Sequence, residues 1–460
     1  MKRLILAMLA AVIMATAAAQ TYNMEVSLKN GNKITLAADS VSEVRFKAME
    51  VYNILTEKHI PDTILLNYIK RNIARGADTY TNIQASQYTG TIALKSQPLQ
   101  SAKGIEFFTA LSELDLSESE LRSLDISELK QLRKLDVHYC INLASLNISG
   151  CDRLEEADIS LTKLKGYSLT NFPKSIKKLD VSFLGYDSFN ASIFPALEKL
   201  TINDNNLTSI DLTACDKINE VSVTGNQLTS ATFDNCKNLQ YLAVSYNPGL
   251  AELSLQGCDD IRFMFIHKTR LNGYSLSQFA PTLLELNISY LTGYKVEDLA
   301  NLPYLTYLEC EGCQLTGNLN LNGSPLLQSL RCEENEELKS LTLTECTELK
   351  ELYCYSNPGL EEIVLPKDQS NIKFVNLFQI PKVSKINVGN MTSVDNLGIS
   401  GSAVQRIDIS GCNPTPSGYY YLYNDNLKEV KVWPTFDIAN PPANITISPN
   451  AKFVYEFTQE

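Results

Sequence analysis

The chain has 460 residues, a formal charge of −12 and no cluster of basic residues. That balance argues against non-specific nucleic-acid binding and against adhesion to an anionic membrane through charge alone. Hydrophobic residues at 44% suit a packed core, while only three histidines, His59, His138 and His267, leave an enzyme poorly supported, and no cofactor or metal site is expected.

Met1-Lys2-Arg3, the apolar run Leu4 to Met14 and the small residues Ala15 to Ala19 have the three regions of a secretory signal peptide, so 1–19 is expected to leave and the protein to be exported. Losing Lys2 and Arg3 takes the charge to −14. No later apolar stretch approaches the roughly 20 residues that span a bilayer. Residues 20–50 read as a small β element, because Met24 to Leu36 alternates on both sides of the hairpin signal Asn30-Gly31, with Ser40 to Phe46 as a third strand. In 51–110, Pro61-Asp62 opens an amphipathic stretch with Ile64, Leu65, Tyr68, Ile69 and Ile73 at helical spacing. One helix is predicted there, within an amino-terminal cap that also uses Lys103 to Phe108.

From Leu111 a six-residue frame, L-x-x-L-x-L or its equivalent, recurs every 21 to 23 residues. Its starts are Leu111, Leu132, Leu154, Ile176, Leu197, Ile218, Leu239, Ile261, Leu283, Leu305, Leu327, Leu349, Ile372 and Val394, with a weaker copy around Tyr419 to Leu422. Such a period is the signature of a leucine-rich-repeat solenoid. A second, similar pattern falls between the starts, as in Leu121-x-x-Leu124-x-Ile126 and Leu338-x-x-Leu341-x-Leu343. At about 3.3 Å per residue, 11 residues make one side of a narrow coil, so the expected fold is a right-handed coil with mainly parallel β on both faces. The array is expected to fill 111–432 with about 15 coils, and 433–460 to form a carboxyl-terminal cap. The Gly166-Tyr167-Ser168-Leu169 segment is echoed 107 residues later by Gly273-Tyr274-Ser275-Leu276, which predicts helical turns on the convex side, including Val296 to Ala300, and suggests duplication of five coils. Asn205, Asn226, Asn247, Asn335 and Asn357 share the ninth frame position, from which a side chain can bond the backbone of adjacent coils.

Eleven cysteines are an odd number, and most repeat in register. Cys310, Cys332 and Cys354 take the third apolar position of the frame, and Cys151, Cys215, Cys236, Cys258, Cys346 and Cys412 lie three residues beyond an L-x-L or equivalent. Stacked small hydrophobes with reduced thiols are the favoured reading, although coils about 4.8 Å apart would permit pairs such as Cys215 with Cys236.

These residues resemble secreted bacterial leucine-rich-repeat proteins of the internalin-like type, with short repeats and a cysteine ladder. Ile60-Pro61-Asp62 and Gly104-Ile105-Glu106-Phe107-Phe108 resemble that family's amino-terminal cap. The resemblance implies surface recognition of protein or glycan partners. Its calcium-type loop is not expected here, since Arg75 to Asn82 keeps too few carboxylates.

Alternation along a strand places frame positions three, five, seven and eight on the concave sheet. Asp115, Asp136, Asp158 and Asp180 form one such column, read as solvated rather than metal-binding. Tyr241, Tyr246, Phe263, Phe265, His267, Tyr290 and Tyr307 fall together in the middle coils, and Tyr353, Tyr355, Phe374 and Phe378 in later ones, continued by Tyr419, Tyr421 and Tyr423. Outward aromatics in a contiguous patch mark an interaction site. The expected function is therefore adhesion or recognition by a monomer, with a protein or peptide partner. A glycan partner, and a cell-envelope scaffold without specific ligand, are the alternatives.

Overall fold

A computed structural model of the chain describes residues 54–458, apart from 78 and 413–417, together with the backbone of two strands before them. Residues Met1–Tyr52 and Asn53–Glu460 are separate compact units. In the first, Asn23–Ser27 pairs antiparallel with Lys33–Ala37, so the strands predicted on either side of Asn30-Gly31 form a hairpin. The signal-peptide reading of 1–19 and the third strand at 40–46 lie outside the described residues.

The second unit is a parallel solenoid. Position four of each frame lies at the centre of a three-residue pairing, as in Leu286↔Leu308 and Leu308↔Leu330, so every coil contributes one strand to a single long sheet. Fourteen of its strands begin two residues after the frame starts read from the sequence, and Tyr419–Tyr423 is another. The ladder also runs one strand further at each end. Thr91–Ala93 pairs with Glu113–Asp115, inside the segment expected as a cap, and Ile445–Ile447 pairs with Tyr420–Leu422, inside 433–460. Among the described residues those end strands each pair on one side only, so the 17 strands make an open sheet.

The opposite side of the coil is β-structured but discontinuous, in four short sheets that include Ser209–Asp211, Ser230–Thr232 and Glu252–Ser254. One gap lies between Glu362–Val364 and Arg406–Asp408, and the other two fall where the Gly-Tyr-Ser-Leu segments sit. There the chain makes 3-10 turns, Leu169–Asn171, Ala191–Ile193 and Val296–Leu299, which are the helical turns expected from sequence, though too short to count as α-helix.

Apolar frame residues point into the coil and stack into one core. Leu305, Leu308, Cys310 and Cys313, positions one, four, six and nine of their coil, are all completely buried. Burying such a side chain stabilises by about 1.5–3 kcal/mol relative to leaving it in water, a gain that exists only because the next coil covers it. At the amino-terminal end, Thr63–Tyr68 is an α-helix continued by a wider turn at Ile69–Ile73, and a second helix, Asn82–Ser86, adds to the one expected. Asp62 organises this end. One of its carboxylate oxygens caps the first helix by accepting from Ile64 N–H, and the other accepts from Gln100 and Ser101 N–H. Gly104 has φ +103, and a Cβ there would lie 2.5 Å from Ile60 Cγ1, so the Ile-Pro-Asp and Gly-Ile-Glu segments meet where only glycine fits. At the other end, within the segment expected as a carboxyl-terminal cap, Trp433 packs on Phe436 and Phe436 on Phe453, while Lys452–Val454 pairs with Glu429–Lys431.

Two further columns follow from the same register. The ninth-position asparagines are buried and cross-link coils: Asn226 Oδ1 accepts from Leu207 N–H, and its Nδ2 donates to Ile202 O. Cys140 and Cys313, outside the cysteine columns seen in the sequence, occupy this asparagine position and donate from sulfur to Leu116 O and Ile288 O. All eleven cysteines are free and buried. The eighth position is left-handed in coil after coil, with Tyr139, Leu161, Phe183, Tyr246 and Tyr290 at φ between 54 and 63, and glycine at only a few of these sites, such as Gly225, Gly312 and Gly401. This kink turns the chain out of the sheet and lets the ninth residue point inward.

Candidate functional site

Outward residues of the long sheet form a surface four columns wide, and its chemistry changes along the solenoid. In the first coils Asp115, Asp158 and Asp180 each hold the N–H and hydroxyl of the serine two residues on through Oδ1. Asp136 Oδ1 does the same for the N–H and ring of His138, at 3.0 and 2.7 Å. Ligand atoms of Asp136, His138 and Asp158 lie within 4.8 Å of one another and could hold a metal, but this hydrogen bonding already gives the strip a structural role. Burial, with Asp180 beside it, pushes Asp158 up to about 6. Beside this strip charges alternate, Lys178 bridging to Glu156 at 2.7 Å and Lys199 to Glu220.

The middle coils replace charge with rings. Tyr241 packs against Phe263 at 6.2 Å and Phe265 at 5.5 Å between ring centroids, all three half-buried. One step along each coil, Tyr246 meets His267 edge-on at 5.2 Å, and Lys268 sits over both Tyr246 and Tyr290. His267 pairs with Ser245 Oγ, and burial, helped by Lys268, pushes its ring down to about 4, so it is neutral at pH 7. Tyr290 donates to Glu311 at 2.6 Å and Tyr307 to Glu309 at 2.6 Å, which turns both rings toward the acidic coils that follow. Both hydroxyls are held well above the usual tyrosine range, Tyr290 first by that carboxylate and Tyr307 first by burial.

A separate group follows. Tyr353 stacks on Phe374 at 4.8 Å, with the Arg331 guanidinium 3.8 Å above the Tyr353 ring. Tyr355 is half-buried on the same strip, and Phe378 meets Tyr421 edge-on at 6.0 Å, continuing to Tyr423. Tyr419 and Tyr423 stay exposed, so the 433–460 segment does not cover them. The residues selected from sequence are therefore not one patch. They form a triad at Tyr241, Phe263 and Phe265, an edge cluster at Tyr246, His267 and Tyr290, and a later group at Tyr353, Phe374 and Phe378, with Tyr307 and Tyr355 bordering an acidic strip between.

The frame also held a signal that sequence reasoning passed over. Tyr139, Leu161 and Phe183 are exposed at the eighth position of three consecutive coils, and their spacing of 22 residues makes them neighbours.

A family model for the leucine-rich-repeat domain of the endo-beta-N-acetylglucosaminidase EndoS matches residues 60–183. No curated protein matches the chain. Among solved structures, the functional domain of InlJ from Listeria monocytogenes, which includes a cysteine ladder, is 18% identical and has a TM-score of 0.60, over 83% of this chain and 82% of that one. An internalin, inlF, from the same species is 17% identical over 69% of this chain and 96% of its own, with a TM-score of 0.41. A leucine-rich-repeat protein from Leptospira interrogans is 20% identical over 75% and 95%, with a TM-score of 0.39. The chain is thus a leucine-rich-repeat solenoid, similar in fold to the cysteine-laddered Listeria domain.

Proposed function

We propose that the chain is an exported, non-enzymatic binding protein, a monomer that recognises a protein or peptide through the face of its long sheet. The observation that carries this is the cluster of Tyr241, Phe263 and Phe265, half-buried rings on the outward side of a sheet whose flanking coils present Glu220, Ser222, Glu285 and Asn287 at the same positions. Apolar rings left facing water gain when a partner covers them, and aromatic residues, Phe and Tyr among them, are enriched at protein interfaces. Export rests on the pattern of residues 1–19.

A glycan partner is the second reading, since the model matched at 60–183 is named for an enzyme acting on N-acetylglucosamine linkages and sugars also stack on tyrosine. The test is retention of cell-envelope or host-surface extract on the immobilised chain lacking 1–19. With protein ligands, prior protease treatment of the extract abolishes retention and enzymatic deglycosylation does not. Phe263→Ser/Phe265→Ser reduces it by about tenfold or more, as expected for removing interface anchors. Retention that survives protease, or that ignores the double substitution, contradicts the protein-binding reading.

A further inference from the structure

Between the two ring groups, the coils starting at Leu305 and Leu327 present Glu309, Glu311, Glu333 and Glu334 against a single outward cation, Arg331. Tyrosines border this strip on both sides. Glu309 Oε2 is occupied by Tyr307 and Asn287, at 2.6 and 2.8 Å, and Glu311 Oε1 by Tyr290. Arg331 is engaged with the Tyr353 ring and reaches Glu333 Oε1 only at 3.9 Å.

Glu333 is the outlier. It is 2% exposed, and its Oε2 is buried without a hydrogen-bond partner among the described residues. Leaving a buried carboxylate oxygen unpaired is strongly unfavourable. The fold does not require it, because the same seventh position holds buried serines at Ser117, Ser160, Ser182, Ser245 and Ser289. Burial pushes the Glu333 carboxyl up to about 7; its own backbone N–H and Arg331 oppose the rise, and Glu311 and Glu309 add to it. A group so unfavourable, replaceable by serine and set beside the same surface as the rings, is most simply explained by a ligand that completes it.

We propose that Glu311 and Glu333 receive a guanidinium or ammonium side chain of a basic, extended partner segment, held between Tyr290 and Tyr307 on one side and Tyr353 and Tyr355 on the other. The incoming cation displaces the Arg331 side chain from its long contact and donates to Glu333 Oε2, while flanking apolar residues of the segment lie on the rings. Charge complementarity selects this occupant: a neutral or acidic segment would leave three or more carboxylates desolvated without compensation. The inference rests on the reading of the sheet face as a protein-binding surface and specifies the partner's chemistry.

The experiment is fluorescence anisotropy of the full chain with three labelled octapeptides of alternating leucine, the other positions being arginine, citrulline or glutamate. The arginine peptide is expected to bind about tenfold or more tighter than the citrulline peptide, equivalent to about 1.4 kcal/mol. Glu311→Gln/Glu333→Gln should abolish that preference and leave citrulline-peptide affinity unchanged, whereas Glu361→Gln/Glu362→Gln, removing two exposed charges elsewhere, should leave the preference intact. Both Gln pairs preserve side-chain shape, and thermal melting checks the fold. Equal binding of arginine and citrulline peptides, no binding of either, or a preference that survives Glu311→Gln/Glu333→Gln overturns the proposal. Peptides of all three charges binding equally and lost together on Phe263→Ser/Phe265→Ser would overturn it while keeping the sheet face as a binding surface.

Discussion

Asn247 Oδ1 accepts the backbone N–H of Leu228, nineteen residues before it, at 3.0 Å. Its Nδ2 donates in turn to Val223 O, so one completely buried side chain ties its own coil to the preceding one. Asn205, Asn226, Asn335 and Asn357 repeat the arrangement.

Replacing Asn247 by Ala takes the partner from the buried Leu228 N–H and from Val244 O, whereas Val223 O keeps Asn226 Nδ2. Each orphaned group costs about 1–3 kcal/mol, so the substitution should lower stability by roughly 3 kcal/mol or more in urea unfolding. Cys313→Asn restores this column's usual side chain where a thiol now donates to Ile288 O, and should be tolerated. A loss from Asn247→Ala below about 0.5 kcal/mol would show that water replaces these bonds.

Leu161 and Phe183 hold φ values of 54 and 63, a region where bulky residues are strained by about 1–3 kcal/mol. Phe183→Gly should therefore raise stability by up to about 1 kcal/mol despite losing a side chain, since Phe183 is 51% exposed and has less packing to lose than Leu161 at 36%. Gly225→Ala, at φ +70, should lower it by a similar amount, read by the same denaturation.

Cys151, Cys236, Cys346 and Cys412 are pushed up to about 12 by burial, so no thiolate is presented near neutral pH. The native protein should not react with a thiol reagent at pH 8. Denatured without reductant, it should release all eleven thiols, and a smaller number would reveal disulfides.

Glu333 gives stability a pH dependence of defined sign. Its carboxyl sits at about 7 in the folded chain against 4.5 for an ordinary glutamate, so the folded state holds the proton more tightly. Stability from this group is fully present below pH 4.5 and is lost as pH rises through 7. Glu333→Gln, which cannot ionise, should be more stable than the parent above pH 7, by at most about 3 kcal/mol, and equal to it near pH 4. The charged groups facing it, Glu309, Glu311 and Arg331, are unchanged in this comparison, so a pH-independent difference would assign the effect elsewhere.

The repeat was legible because a solenoid writes its core once per coil: Leu305, Leu327 and Leu349 are buried for the same reason, and their spacing reveals it. The ends were less so. Thr91–Ala93 and Ile445–Ile447 carry the ladder without the leucine frame, because backbone pairing to a neighbouring coil supplies what the sequence pattern lacks. On the face, alternation marked which aromatics point outward, but not which rings meet. Tyr246 leaves the strand through its left-handed backbone and meets His267, while Tyr241 stays with Phe263, and this separation depends on φ. Burial of Glu333 was equally hidden, since alternation marks the seventh frame position as outward, yet that position is buried here as it is at Ser117, Ser160 and Ser245.

Recognition of a partner by the rings of the long sheet, as proposed above, can be tested on the immobilised protein. The most direct measurement compares retention of cell-envelope or host-surface proteins on three immobilised chains: the parent, Phe263→Ser/Phe265→Ser, and Tyr139→Ser/Phe183→Ser, which removes exposed rings from the eighth position of the early coils. Retention should fall by about tenfold or more for the first double substitution and stay at the parent's level for the second. Unchanged retention on Phe263→Ser/Phe265→Ser, or loss confined to Tyr139→Ser/Phe183→Ser, would contradict it.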